Sequence, residues 1–256
     1  MIARSGRARV PRGAVLASAL AASCGRGDPY DATVLAAASL SESFTEIASA
    51  YETAHPGAEV TLEFAASSTI AAQVRAGAPF DVLATADERT MAEARRAGLV
   101  DLPVVFATNR LVVIVPADGP AAVRTIEDLG RPGVAVVLAQ PAVPAGAYAR
   151  RALAAMGIGS AVEANVVSNA LDVKGVAAAV AMGEADAGIV YASDVTPALA
   201  ARVRVLPLPE RAAVRVVYSI AVAADPQHPR AARAFLDAVR SPKGRAILAA
   251  HSFGVP

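Results

Sequence analysis

Val34–Glu42, VLAAASLSE, is the stretch that decides the fold. An apolar run (Val34, Leu35) passes through three alanines to Ser39, and a helical pattern follows at once. Phe44, Ile47, Ala48 and Tyr51 fall at the i, i+3, i+4, i+7 spacing of one helical face. Ser39 occupies the expected N-cap position, with Glu42 three residues on, the spacing of a capping box. The segment therefore predicts a strand that delivers a hydroxyl and several unpaired backbone N–H groups to one point. Helix starts combine such donors with the positive end of the helix dipole, which suits an anion. Taken alone, Ser39 is a helix cap and nothing more. The chain, however, repeats the arrangement.

Moving outward, Val60, Leu62 and Phe64 alternate on a strand that ends at Ala65-Ala66-Ser67-Ser68-Thr69. A short helix with Ile70 and Val74 then runs to the Gly77 stop. Residues 80–86 read as a buried strand, and Asp87 as the N-cap of a helix carrying Met91 and Ala94. Residues 111–116 and 133–139 are strongly apolar strands, separated by a Thr125-x-x-Asp128 capping box. Pro141 and Pro144 break the chain before a helix from about Ala145 to Gly157. The apolar run Val162–Val167 predicts a strand, and Asp172 caps a helix that ends at Gly183. Strands at 187–191, 203–208 and 214–224 follow, then two C-terminal helices, the second after Pro242. Alternating β and α segments imply an α/β fold with mainly parallel sheets and helices on both faces.

Composition bounds the function. The chain has 256 residues, 55% hydrophobic and 18% charged, enough for a sizeable core in one large domain or two lobes. Arg4, Arg7, Arg9 and Arg12 crowd the start with no acid beside them. Without residues 1–23 the balance is 20 basic against 23 acidic residues, which argues against nucleic acid as a partner. Residues 1–13 read as the charged region of a signal peptide and Ala14–Ser23 as its short apolar region, giving a leader over 1–23. The only cysteine, Cys24, follows in LAASC, which resembles a bacterial lipobox with Ala21 where leucine is usual. An exported protein, lipid-anchored through Cys24, is expected, with residues 24–32 as a flexible tether. One cysteine leaves no internal disulfide and no cysteine-built metal site.

Four helix starts lie just after a strand or loop: at Ser39, Ser67, Ala145 and Val173. In open α/β sheets, ligands bind where strands end and helices begin. If these turns converge, each serine gives a hydroxyl and an N–H, and Ala145 and Val173 give an N–H each. Tyr191, at the end of its strand, adds a phenol. Such a set carries no formal charge and holds an anion by dipoles. It contains no committed acceptor, so it suits an anion without a proton, such as sulfate, molybdate or tungstate. Asp172 reads as a cap rather than a contact, since a carboxylate repels a dianion. Asp81 and Asp87 read as structural, and Lys174 as pointing to solvent.

Five segments in order, VLAAASL (34–40), FAASSTIAAQVRAGAPFDVLATAD (64–87), VPAGAYARRAL (143–153), DVKG (172–175) and GIVYASD (188–194), resemble the substrate-binding proteins of ABC molybdate importers. The similarity runs from about Val34 to the C-terminus. It implies a two-lobed, type II periplasmic-binding-protein fold, with residues 33–108 plus 217–256 in lobe 1 and 109–216 in lobe 2. Crossovers near 107–112 and 214–218 would act as a hinge. It implies molybdate or tungstate as ligand, held by Ser39, Ser67, Ala145, Val173 and Tyr191, with no cofactor and no directly coordinated metal. The partner it implies is the membrane permease of an ABC importer, and a monomer is expected. Two departures stand out: Ala66 where the family often has a third serine, and Lys174 where arginine is common.

Three readings compete, one of them a sensor outside transport that hands ligand occupancy to a partner. A binding protein for sulfate or another tetrahedral oxyanion keeps the site and changes the ligand. A serine-dependent hydrolase changes the class, but there is no G-x-S-x-G elbow and no S-x-x-K at Ser67 or Ser68. His55, His228 and His251 have no metal-ligand spacing, and the first two read as exposed loop residues.

Overall fold

The alternating apolar and helical segments fold as two five-stranded sheets with helices packed on them. The structure, a computed structural model, describes residues 28–118 and 123–256. The expected leader peptide and Cys24 lie outside these residues.

From Ala32 the chain runs β1 (Ala32–Ala37), α1 (Ser41–Ala54), β2 (Val60–Ala65), α2 (Ser67–Arg75), β3 (Val82–Thr85), α3 (Glu88–Arg96) and β4 (Val104–Asn109). It crosses at Arg110 into β5 (Leu111–Pro116), then forms β6 (Val136–Ala139), α4 (Pro144–Ala155), α5 (Gly159–Glu163) and β7 (Val166–Ala170). After α6 (Val173–Ala181), β8 (Ala187–Tyr191), α7 (Pro197–Ala200) and β9 (Val203–Pro207), it returns as β10 (Val216–Val222), α8 (Pro229–Arg240) and α9 (Pro242–Ala250).

The first sheet has the order β2-β1-β3-β10-β4 and the second β7-β6-β8-β5-β9. The two-lobed α/β expectation therefore holds, but the sheets are mixed. In the first, β1 pairs in parallel with β2 and β3, whereas β10 is antiparallel to β3 and β4. The second repeats the scheme, with β6 parallel to β7 and β8, and β5 antiparallel to β8 and β9. The strands that run against their sheets, β5 and β10, are the ones that end a crossing, because a chain entering a sheet from the other lobe arrives from the cleft side.

Strand β1 is apolar on both faces because the sheet is covered on both. Val34 and Ala36 enter the larger core, with Phe44, Phe106 and Phe235. Leu35 enters a second cluster with Ile70, Leu83 and Met91. Phe44 of α1 is fully buried, its ring 5.8 Å from Phe106 and 6.0 Å from Phe235. Burying one such side chain contributes roughly 1.5–3 kcal/mol.

Helix boundaries follow the sequence signals. Asp87 Oδ1 accepts from the Thr90 N–H at 2.8 Å, and Asp172 Oδ1 from the Gly175 N–H at 2.9 Å. The Thr125–Asp128 capping box forms as expected. Gly98 and Gly183 follow α3 and α6 at φ +70° and +75°, conformations that a side chain resists.

Two expectations fail locally. Residues 159–163 are helical, and the strand begins only at Val166. The Val162 N–H bonds the Ile158 carbonyl at 3.0 Å, and Val162 is fully buried. A short apolar run does not by itself distinguish a strand from a buried helical turn. The end of the expected tether is also anchored. Asp31 Oδ1 accepts from the Glu59 N–H at 2.8 Å, and the Tyr30 ring lies 4.1 Å from that of His55.

Candidate functional site

Strand register brings the helix starts together. Ala37 and Ala65 are partners at the ends of β1 and β2, so the turns holding Ser39 and Ser67 leave the first sheet side by side. Ala139 and Ala170 are partners at the ends of β6 and β7, which sets the turns before Ala145 and Val173 next to each other. Strand β8 ends at Tyr191 on the same edge. All five sequence-predicted residues line one cavity. Its free space is about 20 Å³, room for a few atoms rather than for a sugar or a peptide. Its other walls include Ala37, Ala66, Ala86, Val143 and Pro144.

The electrostatics are those of a site built from dipoles. Asp172 is the one charged residue on the described walls, and its Oδ1 is committed to Gly175. No side chain caps the turn Ala38–Leu40, α2 or α4, so their first N–H groups keep free valence. Ser67 is 1% exposed, and its Oγ accepts from the Ala86 N–H at 3.0 Å, leaving its own proton to point elsewhere. Tyr191 is 1% exposed, and its hydroxyl has no partner among the described residues. Burial, with neighbouring Tyr218 adding to it, pushes this phenol well above its ordinary pKa, so it stays a neutral donor. An unpaired buried hydroxyl costs about 1–3 kcal/mol. It is the one buried side-chain atom on the described cavity walls without a partner, and a bound acceptor would relieve it.

Ser39 is placed as expected but does another job. Residues Ala38–Leu40 form a single 3-10 turn, α1 begins at Ser41, and neither has a side-chain cap. Ser39 Oγ instead meets the Tyr218 hydroxyl at 2.8 Å. Glu42, freed from the capping box, reaches Lys174 Nζ at 2.7 and 2.8 Å. Lys174 is thus an ion-pair partner rather than a solvated side chain. It also lies 3.4 Å from Asp194 Oδ1. Burial raises the Asp194 carboxyl to about 6, against the pull of Lys174. Glu42 is raised by partial burial, but its bonds to Lys174 and Ser41 outweigh this and hold it below its ordinary value.

Sequence spacing could not find Tyr218, Asn109 or Ser193, since the Ser39–Tyr218 contact spans 179 residues. Asn109 Nδ2 donates to Ser193 Oγ at 2.8 Å and lies 3.4 Å from the Tyr218 hydroxyl. The histidines are engaged elsewhere. His55 stacks on Tyr30 and Tyr51, His228 meets Asp81 at 3.0 Å, and His251 meets Glu46 at 2.9 Å. They are half-buried rather than free in loops. The two cavity serines therefore bond a phenol and a backbone N–H, not an imidazole. Among the described residues no cluster of His, Cys, Asp and Glu could hold a metal ion, and no helix is long and apolar enough to cross a membrane.

Two lobes with a small donor-lined cavity between them define a solute-binding protein, and the comparisons agree. A family profile for bacterial extracellular solute-binding proteins matches residues 32–254, and the chain belongs to that family. Within it, "Molybdate-binding protein ModA" of Mycobacterium tuberculosis is 42% identical over 224 residues, 87% of this chain and 84% of that protein. The Escherichia coli protein of the same name is 32% identical over 251 residues, 95% and 96% of the two chains. Among solved structures, the periplasmic molybdate-binding protein of Azotobacter vinelandii superposes with a TM-score of 0.79 at 22% identity, covering 88% of this chain and all of the other. The sulfate-binding protein SubI of Mycobacterium tuberculosis gives 0.76 at 21% identity, covering 87% and 86%. These two structures share the fold.

Proposed function

We propose that this chain captures molybdate or tungstate between its lobes and delivers it to the membrane permease of an ABC importer. The observation that carries the reading is the Tyr191 hydroxyl, buried without a partner in the same cavity as Ser39 and Ser67. The ligand set is the two serine hydroxyls and N–H groups, the Ala145 and Val173 N–H groups, and the Tyr191 phenol. Each is a donor, so the set matches the oxygens of a fully ionised tetrahedral anion. Preorganised, uncharged donors in a dry site hold such an ion without a salt bridge. Two relatives above 30% identity carry molybdate-binding names over most of their length, which supports the choice of metal oxyanion.

In this reading the lobes are residues 33–108 plus 217–256, and 109–216. The crossing at Arg110 and the one between β9 and β10 form the hinge. The protein is exported, anchored by lipid on Cys24, and acts as a monomer without a cofactor. A transport role rather than catalysis is supported by the partners of the two cavity serines, a phenol and a backbone N–H, neither of which is a general base.

Sulfate is the second reading, because a donor-only cavity accepts any unprotonated tetrahedral dianion. A thermal-shift series separates the two. At a hundred times its dissociation constant a ligand stabilises the folded state by about 2.7 kcal/mol. Molybdate and tungstate are expected to raise Tm by several degrees and sulfate to leave it unchanged. An equal rise with sulfate would move the assignment to the second reading, and no rise with any oxyanion would remove both.

A further inference from the structure

Resting on the oxyanion reading, we infer that Tyr218, oriented by Asn109, is a positioning residue that fixes the Ser39 hydroxyl as a donor into the cavity. A contact between two hydroxyls carries a single proton, and either oxygen can give it. Here the neighbours decide which. Asn109 Oδ1 accepts from the Arg110 N–H at 2.8 Å, which settles the amide orientation and leaves Nδ2 as the donating end. One Nδ2 proton goes to Ser193 Oγ at 2.8 Å, and the other faces the Tyr218 oxygen at 3.4 Å. With its oxygen occupied as an acceptor, Tyr218 gives its own proton to Ser39 Oγ at 2.8 Å. Ser39 then has its proton free for the cavity that it lines.

The chain Asn109, Tyr218, Ser39 is buried at every link. Water is therefore not at hand to reverse it. Burial also keeps the Tyr218 phenol protonated, since it raises that group far above its ordinary value. Ser67 is set the same way by a different partner, the Ala86 N–H, which can only donate. Both cavity serine hydroxyls are thus poled into the cavity by protein donors, and an anion bearing its own O–H meets protons where it needs an acceptor. Asn109 is the last residue of β4 in the first sheet, directly before the crossing at Arg110, and Ser193 follows β8 of the second sheet. The same amide therefore ties the donor direction to the relative placement of the two sheets.

The test is a double-mutant cycle read by calorimetric titration with molybdate. Tyr218→Phe keeps the ring, whose edge contacts with Phe106, Tyr191 and Phe253 lie at 6.3, 6.0 and 5.2 Å. It is expected to weaken molybdate binding about five- to tenfold, the effect of one hydrogen bond. In a Ser39→Ala background the same change is expected to cost less than about twofold, because the group through which it acts is gone. Asn109→Ala enters an identical cycle, so that poor folding of one variant leaves the other to decide. Equal losses in both backgrounds, or no loss in either single variant, overturn the inference while the oxyanion reading stands. A parent protein that binds no molybdate overturns both.

Discussion

Tyr191 faces opposite demands in the free and the occupied protein. Its hydroxyl is buried and unpaired, so the free protein bears a cost that the ligand removes. Tyr191→Phe is expected to raise the stability of the free protein by about 1 kcal/mol and to weaken molybdate binding by tenfold or more. Urea unfolding and calorimetry check the two halves, and a loss of stability would show that the hydroxyl has a protein partner. Ser39→Ala and Ser67→Ala each remove a donor to a charged ligand, about 1.5–3 kcal/mol, and should each cost at least tenfold in affinity. Asp194 gives a pH signature. Its carboxyl is raised from 3.8 to about 6, so between those values the folded state binds more protons than the unfolded one. Its contribution to stability therefore falls as pH rises through that window. Asp194→Asn should gain stability relative to the parent from pH 4 to 6 and hold a constant difference above it; a constant difference throughout would contradict the shift. Lys174, Glu42, Tyr191 and Tyr218 are the groups that face this carboxyl. The five cavity positions were legible in the sequence because each sits in a strand-turn-helix motif. Tyr218 and Asn109 were not, because a lone polar residue in an apolar strand carries no local mark of its distant partner.

At the scale of elements, the site depends on how closely α4 approaches β6. A Cβ on Gly146 would lie 2.2 Å from the Gln140 carbonyl oxygen and 2.3 Å from that of Ala139. Backbone cannot yield as a flexible side chain does, so the start of α4 would be pushed off the sheet edge and Ala145 with it. Gly146→Ala is expected to destabilise the protein by about 1–3 kcal/mol and to lower molybdate affinity beyond what the lost stability explains. Urea midpoints alongside calorimetry decide it, and unchanged affinity would detach α4 from the site. Helix ends were readable because Asp87, Asp172 and the terminal glycines act locally. Residues 159–163 were not, since the apolar run through Val162 fits a strand and a buried helical turn equally. The Ser39–Glu42 spacing misled for a related reason. A capping box competes with other partners, and Tyr218 and Lys174 offered each residue a better one.

For the whole molecule, the Glu42–Lys174 pair joins α1, on the first sheet, to α6, on the second. Glu42 lies three residues beyond Ser39, and Lys174 directly follows Val173, so the pair bridges two cavity turns. Its side chains are 38% and 31% exposed, which limits its worth to about 1 kcal/mol and makes it sensitive to salt. Lys174→Met is expected to speed molybdate release a few-fold, with the parent approaching the variant at high salt; stopped-flow rates that ignore both changes would deny the pair a role in closure. The order of apolar runs made an α/β fold legible but left one large domain or two lobes open; the two-lobed architecture was legible from the family resemblance. The antiparallel entry strands and this cross-lobe pair were not, because both depend on how the halves meet.

The most direct measurement is calorimetric titration of the purified protein with molybdate, tungstate, sulfate and phosphate in turn. Tight one-to-one binding of molybdate and tungstate, with sulfate and phosphate silent, is the predicted result. Binding of phosphate as tightly as molybdate, or no heat with any of the four, would contradict a donor-only oxyanion site at Ser39, Ser67, Ala145, Val173 and Tyr191.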